Sequence, residues 1–445
     1  MKALPDAYKN RMKALLGAEY DEFLSCYEQP YYRGIRLNTL KCDEKTLKAA
    51  LPFSMTPTPF SPLSYYIPSN AEKIGSLPMH HAGAFYSQEP SAAAAVTALD
   101  PQPGEIVLDL CAAPGGKSTQ IASLLQGEGL LWSNEFIKSR ANILLSNLER
   151  IGVRNAVVSS CHPKTLCASL AGYFDKILVD APCSGEGMFR RDEQAVQDWS
   201  PEHVTACAER QLAILTSAAD ALKENGMLVY STCTFSQEEN EGVISDFLKS
   251  RNDFELIDCK QSFGRPGFLP MARRIFPMDG GEGHFVAVLK RLSPNKQYPA
   301  PYCSNQSPVR EMAHDFYEQL FRIQSNHTIE QFGNNFLLLP KTLPYLKGLG
   351  VIRAGVLLGE WKTNRIEPAH AVFMSAVPCD LNCVIDFSHD SKEIGQFLRG
   401  EEIEIPVGIK GFAGVTVDGI VTGFGKCSNG RLKNHYPKGL RNKNL

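Results

Sequence analysis

Between residues 105 and 292 the chain alternates two kinds of hydrophobic pattern. Short, nearly continuous apolar runs recur: EIVLDLC (105–111), LLWSNEF (130–136), AVVSS (156–160), KILVDAPC (176–183) and GMLVYSTCT (226–234). Runs of that length without polar alternation fit strands buried on both faces. Between them lie longer segments with apolar residues every three to four positions. These predict helices over about 118–125, 138–152, 202–223 and 237–250. FELIDC (254–259) and HFVAVLKRL (284–292) read as closing strands. The alternation predicts an α/β, Rossmann-like, doubly wound sheet, in which ligands bind at the carboxyl ends of the strands.

The flanks follow other patterns. Residues 1–83 form one unit: an amphipathic start (AYKNRMKALLG), then YYRGIRLNTLK, then a stretch with Pro at 52, 57, 59, 62 and 68 that suits loops and edge strands. A second unit spans 84–292, opening with FYSQEPSAAAAVTAL (85–99) as an alanine-rich helix. Residues 293–376 begin with a Pro- and Ser-rich linker and lead into RAGVLLGEWKTNRIEPAHAVFMSA, and 377–445 are β-rich.

Composition narrows the picture. With 43% hydrophobic and 21% charged residues over 445 positions, the chain is neither disordered nor collagen-like. No apolar run is long enough for a membrane helix, and no secretory h-region opens the chain. The thirteen cysteines therefore read as reduced thiols of a cytoplasmic protein. Net charge is −2, so a polyanion partner needs a local basic patch. Residues 426–445 supply one, with six Lys or Arg and no acid, suited to a phosphate backbone or to solvation alone.

Three strand ends carry the candidate chemistry. LDLCAAPGGKS (108–118) runs from a strand through small residues into a helix whose N-terminus attracts an anion. Cys111 and Pro114 stand where a P-loop would differ, and the G-x-G-x-x-G fingerprint is absent. Glu135 ends the second strand, 19 residues after Gly116, where a carboxylate holds a ribose diol. An adenosine-containing ligand fits, and S-adenosylmethionine is one. VDAPCSGEG places Asp180 beside Cys183, and VYSTCT places Cys233 at the end of the fifth strand. Two thiols at neighbouring strand ends face one cleft. No CxxC or His pair accompanies them, so no metal is expected.

CAAPGGK, DAPCSGEG and STCT, in that order and spacing, resemble the NOL/NOP/Sun RNA cytosine-5 methyltransferases. GIRLNTLK resembles that family's N-terminal RNA-binding element, and RAGVLLGEWKTNRIEPAHA and NGRLKNHYPKGLR resemble the C-terminal extension of its bacterial RsmF branch, which ends in a PUA-like RNA module. The resemblance implies S-adenosylmethionine as methyl donor, and as substrate a cytidine of small-subunit (16S) rRNA, alone or within a ribosomal subunit, with no DNA or membrane partner and a monomeric chain. It implies that Cys111, Ala112, Ala113, Pro114, Gly115, Gly116 and Lys117 line the donor, that Glu135 holds the ribose, and that Asp180 faces donor and base. Cys233 matches the nucleophile and Cys183 the residue that helps break down the covalent intermediate. His162 stands where the family often has an Asp near the adenine. The alternatives are the same reaction on tRNA, or an RNA-binding assembly factor without catalysis. The intact cysteine pair and complete CAAPGGK argue against the latter.

That chemistry explains the residue types. Thiolate addition at C6 makes C5 of cytosine nucleophilic. A hydrogen bond at N3 stabilises the charge that develops. For Asp180 to donate there it must be protonated, which requires a raised pKa. Arg36, Asn38 and Lys41 read either as RNA contacts or as a polar strand face. Arg190 and Arg191 read as phosphate grips or as caps of the following helix. Lys433, Lys438 and Arg441 belong to the basic tail. His80 and His81 read as a surface pair or packing.

Overall fold

The computed structural model describes residues 4–71, 73–293, 299–304, 309–322 and 328–442. Its central sheet has ten strands. Five parallel ones form the middle: β1 (Ile106–Asp109), β2 (Leu130–Asn134), β3 (Ala156–Ser159), β4 (Phe174–Asp180) and β5 (Leu222–Thr232), in the spatial order 3-2-1-4-5. β6 (His284–Arg291) runs antiparallel beside β5, and Phe254–Ile257 pairs with β6. The buried apolar runs are thus the strands, as their pattern predicts. Successive residues feed opposite faces. Leu108, Trp132, Ile177 and Tyr230 pack with Leu215 of α3 (Pro201–Ala221). Val107, Leu131, Leu178 and Val229 pack with Ile121 of α1 (Gly116–Leu125) and Leu144 of α2 (Lys138–Ile151). Each face is covered by helices, which is what lets the strands be apolar throughout.

Two expected helices differ. Residues 85–99 split into a strand (Phe85–Ser87), a 3-10 turn (Pro90–Ala93) and a helix only from Ala94 to Leu99. Pro90 cannot sit in a helix interior, and the Glu89 carboxylate accepts from the Ser91 and Ala92 amides to start the turn there. Residues 237–250 divide likewise into a π-turn (Glu238–Gly242) and a helix (Val243–Ser250).

The flanking regions are built onto this core. Phe85–Ser87 closes a four-stranded antiparallel sheet with Gly34–Leu37, Ser61–Tyr66 and Thr56–Thr58, so the Pro-rich stretch is partly strand. Toward the C-terminus lie a four-stranded sheet (Thr328–Phe332, Asn335–Leu339, Val356–Lys362, Arg365–Pro368) and a five-stranded one built around Gly411–Val417 and Ile420–Ser428. Between the second and third strands of the four-stranded sheet, a short strand, β7 (Val351–Ala354), returns to the core and pairs antiparallel with β3.

The N-terminal and C-terminal sheets meet across polar contacts. Lys41 Nζ donates to the carbonyls of Ala82 and Val421, both at 2.9 Å. His81 Nδ1 lies 2.7 Å from the Tyr436 hydroxyl. Burial, with Arg150 adding to it, pushes His81 down to about 4 and His80 to about 3, and burial also takes His370 to about 3. Each folded value lies below the ordinary one of about 6.5, so below that pH the unfolded chain binds more protons. Their contribution is intact above about pH 6.5 and is lost as pH falls through 5 toward 4. A loss of about 2 kcal/mol per histidine at pH 5 is expected. Calorimetric melting should show it as a falling Tm, and a flat Tm from pH 7 to 5 would show that these rings charge without cost.

Candidate active site

The carboxyl ends of β1, β4 and β5 bring three segments together. After β1, the chain turns through residues 111–115 into α1. Gly115 adopts φ +113°, a conformation that L side chains rarely take. Ser118, in the first turn, donates to Asp109 Oδ2 at 2.7 Å and fixes the turn on the strand it leaves. Asp109 is buried beneath the turn, and burial pushes its carboxyl up to about 7. The preceding residue in the helix, Lys117, reaches across to Asp180 Oδ2 at 2.7 Å.

Asp180 ends β4, with Ser231 Oγ donating to its other oxygen at 2.7 Å. Burial alone would raise this carboxyl. Lys117 and the His284 imidazole outweigh it and hold Asp180 well below the usual carboxylate range. The same pairing, against the opposing effect of burial, keeps Lys117 above its ordinary value. The expectation of a protonated Asp180 is therefore corrected: beside an ammonium group it is an acceptor only.

Cys183 and Cys233 come from the loops after β4 and β5, and their sulfurs stand 3.3 Å apart. Both thiols are free and half-buried. Hydrogen bonding to Cys233, together with burial, raises the Cys183 thiol well above its ordinary value. At this separation either thiol can donate its S–H to the other. Two buried carboxylates clamp these loops. Glu239 accepts from the Ser184 amide at 2.9 Å and from Gln211 Nε2 at 2.8 Å. Glu186 accepts from Trp199 Nε1, Thr234 Oγ1 and the Phe235 amide, each at 2.9 Å.

A cavity of about 1220 Å³ opens beside the thiols. Cys111, Ala113, Glu135, His162, Asp180, Cys183 and Cys233 all line it. Ala112 is buried below, its amide bonded to the Asn134 carbonyl. The Pro114 carbonyl accepts from Asn147 and the Gly116 carbonyl from Arg36. Glu135 Oε1 accepts from the Ile137 amide at 2.9 Å, leaving acceptor capacity toward the cavity for a diol. His162 caps the helix Pro163–Ser169 through Nδ1 and stands edge-on to the Phe136 ring. A wall of small residues with a carboxylate at one side fits an adenosine-bearing molecule.

Several candidate contacts lie elsewhere. Arg36 is 2% exposed and donates to Gln88, the Gly116 carbonyl and Thr119 Oγ1. Asn38 donates to the carbonyls of Gly83 and Ile151, and Lys41 is used at the joint described above. Of the two readings, the strand face holds for Arg36 alone: Asn38 and Lys41 lie just past the strand Gly34–Leu37, and all three act as internal struts. Arg190 is buried too, paired with Glu282 at 3.0 Å and donating to the Gln29 and Pro30 carbonyls, so it neither faces solvent nor caps a helix. Arg191 lies with its guanidinium over the Tyr31 ring. Lys433 and Lys438 are exposed, whereas Arg441 packs against Gly400. Lys443 lies outside the described residues. Glu186 and Glu239 were visible within their motifs but carried no role. His284, beside Asp180, carried no signal, because only the sheet brings it there.

The chain matches the family model described as 16S rRNA methyltransferase RsmB/F over residues 96–290. Models of the RsmF N-terminal, first C-terminal and PUA domains match 4–90, 315–375 and 385–442. The ribosomal RNA small subunit methyltransferase F of Vibrio vulnificus (strain YJ016) is 33% identical over 99% of this chain and 98% of its own length. That of Escherichia coli O17:K52:H18 (strain UMN026 / ExPEC) is 33% identical over 98% and 96%. A solved methyltransferase homolog protein from Pyrococcus horikoshii is 31% identical with a TM-score of 0.58, covering 65% of this chain and 95% of that one.

Proposed function

Since the chain belongs to the RsmF branch of the Sun-family rRNA methyltransferases, we propose that it methylates C5 of a cytidine in 16S rRNA, with S-adenosylmethionine as donor and Cys233 as nucleophile. The observation that carries this reading is the thiol pair at 3.3 Å beside the Lys117–Asp180 ion pair. S-adenosylmethionine, when bound, supplies an electrophilic sulfonium methyl. The loop 111–117 and Glu135 hold it. Cys233 adds as a thiolate to C6 of the base and drives electron density onto C5, which takes the methyl. Asp180, ionised, accepts from the exocyclic amine of cytosine and orients the ring. As the C5 proton leaves to water and the C5=C6 bond reforms, Cys183 gives its proton to the departing Cys233 sulfur. The pair then holds one shared proton, as before. The target base must be unpaired or flipped to reach these groups. The exposed Lys433 and Lys438, with Arg191 on Tyr31, are suited to the phosphate backbone.

Bisulfite sequencing of total RNA from a deletion strain tests the reading. Loss of 5-methylcytidine at one or more positions of 16S rRNA, restored by the intact gene, is expected. Loss from tRNA instead would move the substrate, and no loss in any RNA would leave a binding protein.

A further inference from the structure

His284 opens β6, one position beyond the Phe285–Thr232 pair that joins β6 to β5. That register sets it opposite Cys233. In an antiparallel pair, facing residues project to the same side, which is also that of Ser231 and, across the next ladder, Asp180. The ring is 5% exposed, and neither nitrogen has a hydrogen-bond partner among the described residues. Its Nε2 lies 3.8 Å from Asp180 Oδ1. That is too long for a hydrogen bond between them, yet close enough for both to serve neighbouring atoms of one small molecule. A buried imidazole with neither nitrogen hydrogen-bonded is costly, and a partner that arrives with the substrate removes the cost.

The Watson–Crick edge of cytosine presents an amine donor at N4 and, next to it, an acceptor at N3. Asp180 can only accept. His284, in the tautomer with its proton on Nε2, donates. We propose that the Asp180–His284 pair reads this edge, Asp180 accepting from N4 and His284 donating to N3. This rests on the cytosine-5 reading above. His284 then also acts on the reaction itself, since addition of a thiolate at C6 delocalises charge onto N3, where the imidazole N–H meets it. Uridine presents the reverse pattern, an acceptor at position 4 and a donor at N3, and is opposed at both atoms.

The test compares His284→Phe, which keeps the ring and removes both nitrogens, with His284→Gln, which keeps a donor. The substrate is a 16S rRNA fragment carrying 5-fluorocytidine at the target, so that the covalent adduct accumulates. H284F should form adduct about 100-fold more slowly, with KM for RNA and affinity for S-adenosylmethionine changed less than threefold. H284Q should recover to within tenfold of the unmodified enzyme. Adduct formation by H284F within threefold of that enzyme, or an H284Q as slow as H284F, overturns the proposal. Should H284F lose donor binding through misfolding, H284Q alone decides: near-normal adduct formation supports donation, and a 100-fold loss ends it. An unmodified enzyme that forms no adduct at all fails the cytosine-5 reading itself, which is a separate result.

Discussion

Cys233→Ala is expected to yield neither 5-methylcytidine nor a protein–RNA adduct, while binding S-adenosylmethionine normally. Removing the nucleophile removes the first bond of the reaction, so the loss should reach the detection limit, at least about 10⁴-fold. Cys183→Ala should behave in the opposite way. Its Cys233 still attacks and C5 still takes the methyl. The neighbouring S–H at 3.3 Å is gone, so the sulfur leaves poorly. An adduct that survives denaturing electrophoresis should accumulate, with turnover low but single-turnover methylation preserved. The loops themselves are held by Glu186 and Glu239 rather than by the thiols, so neither alanine should disturb the fold. An adduct from C233A that C183A cannot make would exchange the two roles.

Lys117→Met should cost about 10³-fold in kcat, the size associated with removing a preorganised charge from an active site. Lys117 is the group that holds Asp180 ionised against burial. Without it, burial dominates and the Asp180 carboxyl rises. The sign of the pH effect follows. In the unmodified enzyme, Lys117 helps hold the protonation of Asp180 below the usual carboxylate range. In K117M the acid limb of kcat should move to higher pH, because a neutral carboxyl appears sooner as pH falls. A pH profile of single-turnover methylation measures this. More than a tenth of normal kcat with an unmoved acid limb would show that Lys117 does not govern Asp180.

The parts of this site that sequence makes visible are those carried by local pattern. The five strands are apolar runs, and their polar ends name themselves: Cys111 to Lys117, Asp180 with Cys183, and Cys233. Glu135 is legible because its spacing from the glycines is fixed by one strand–helix–strand unit. What pattern hides is cross-strand partnership. Lys117 and Asp180 are far apart in the chain, and only the β1–β4 ladder shows that the carboxylate faces an ammonium group, which reverses its expected protonation state. His284 is hidden for the same reason. Arg36 reads like an RNA-facing residue, yet Gly34–Leu37 is an inner strand of its sheet, buried along its whole length, and Asn38 and Lys41, which follow that strand, are spent on backbone carbonyls instead of phosphates. Nothing in VIRA (351–354) tells that it belongs to a sheet whose neighbouring strand was finished at residue 159.

That last pairing has a consequence for synthesis. The last strand of the catalytic sheet, β6, ends at residue 291 and β7 begins at 351, a gap of roughly 60 residues, which at typical rates of translation is about 3–12 s. For that interval the catalytic sheet can be complete except for one open, apolar edge, Ala156–Ser159. Such an edge is a template for another chain. The interval is therefore when the nascent protein most needs a chaperone or a rapid ribosome. A catalytic core ended at residue 292 would keep this edge open permanently, and aggregation rather than lost chemistry would set the limit on its use.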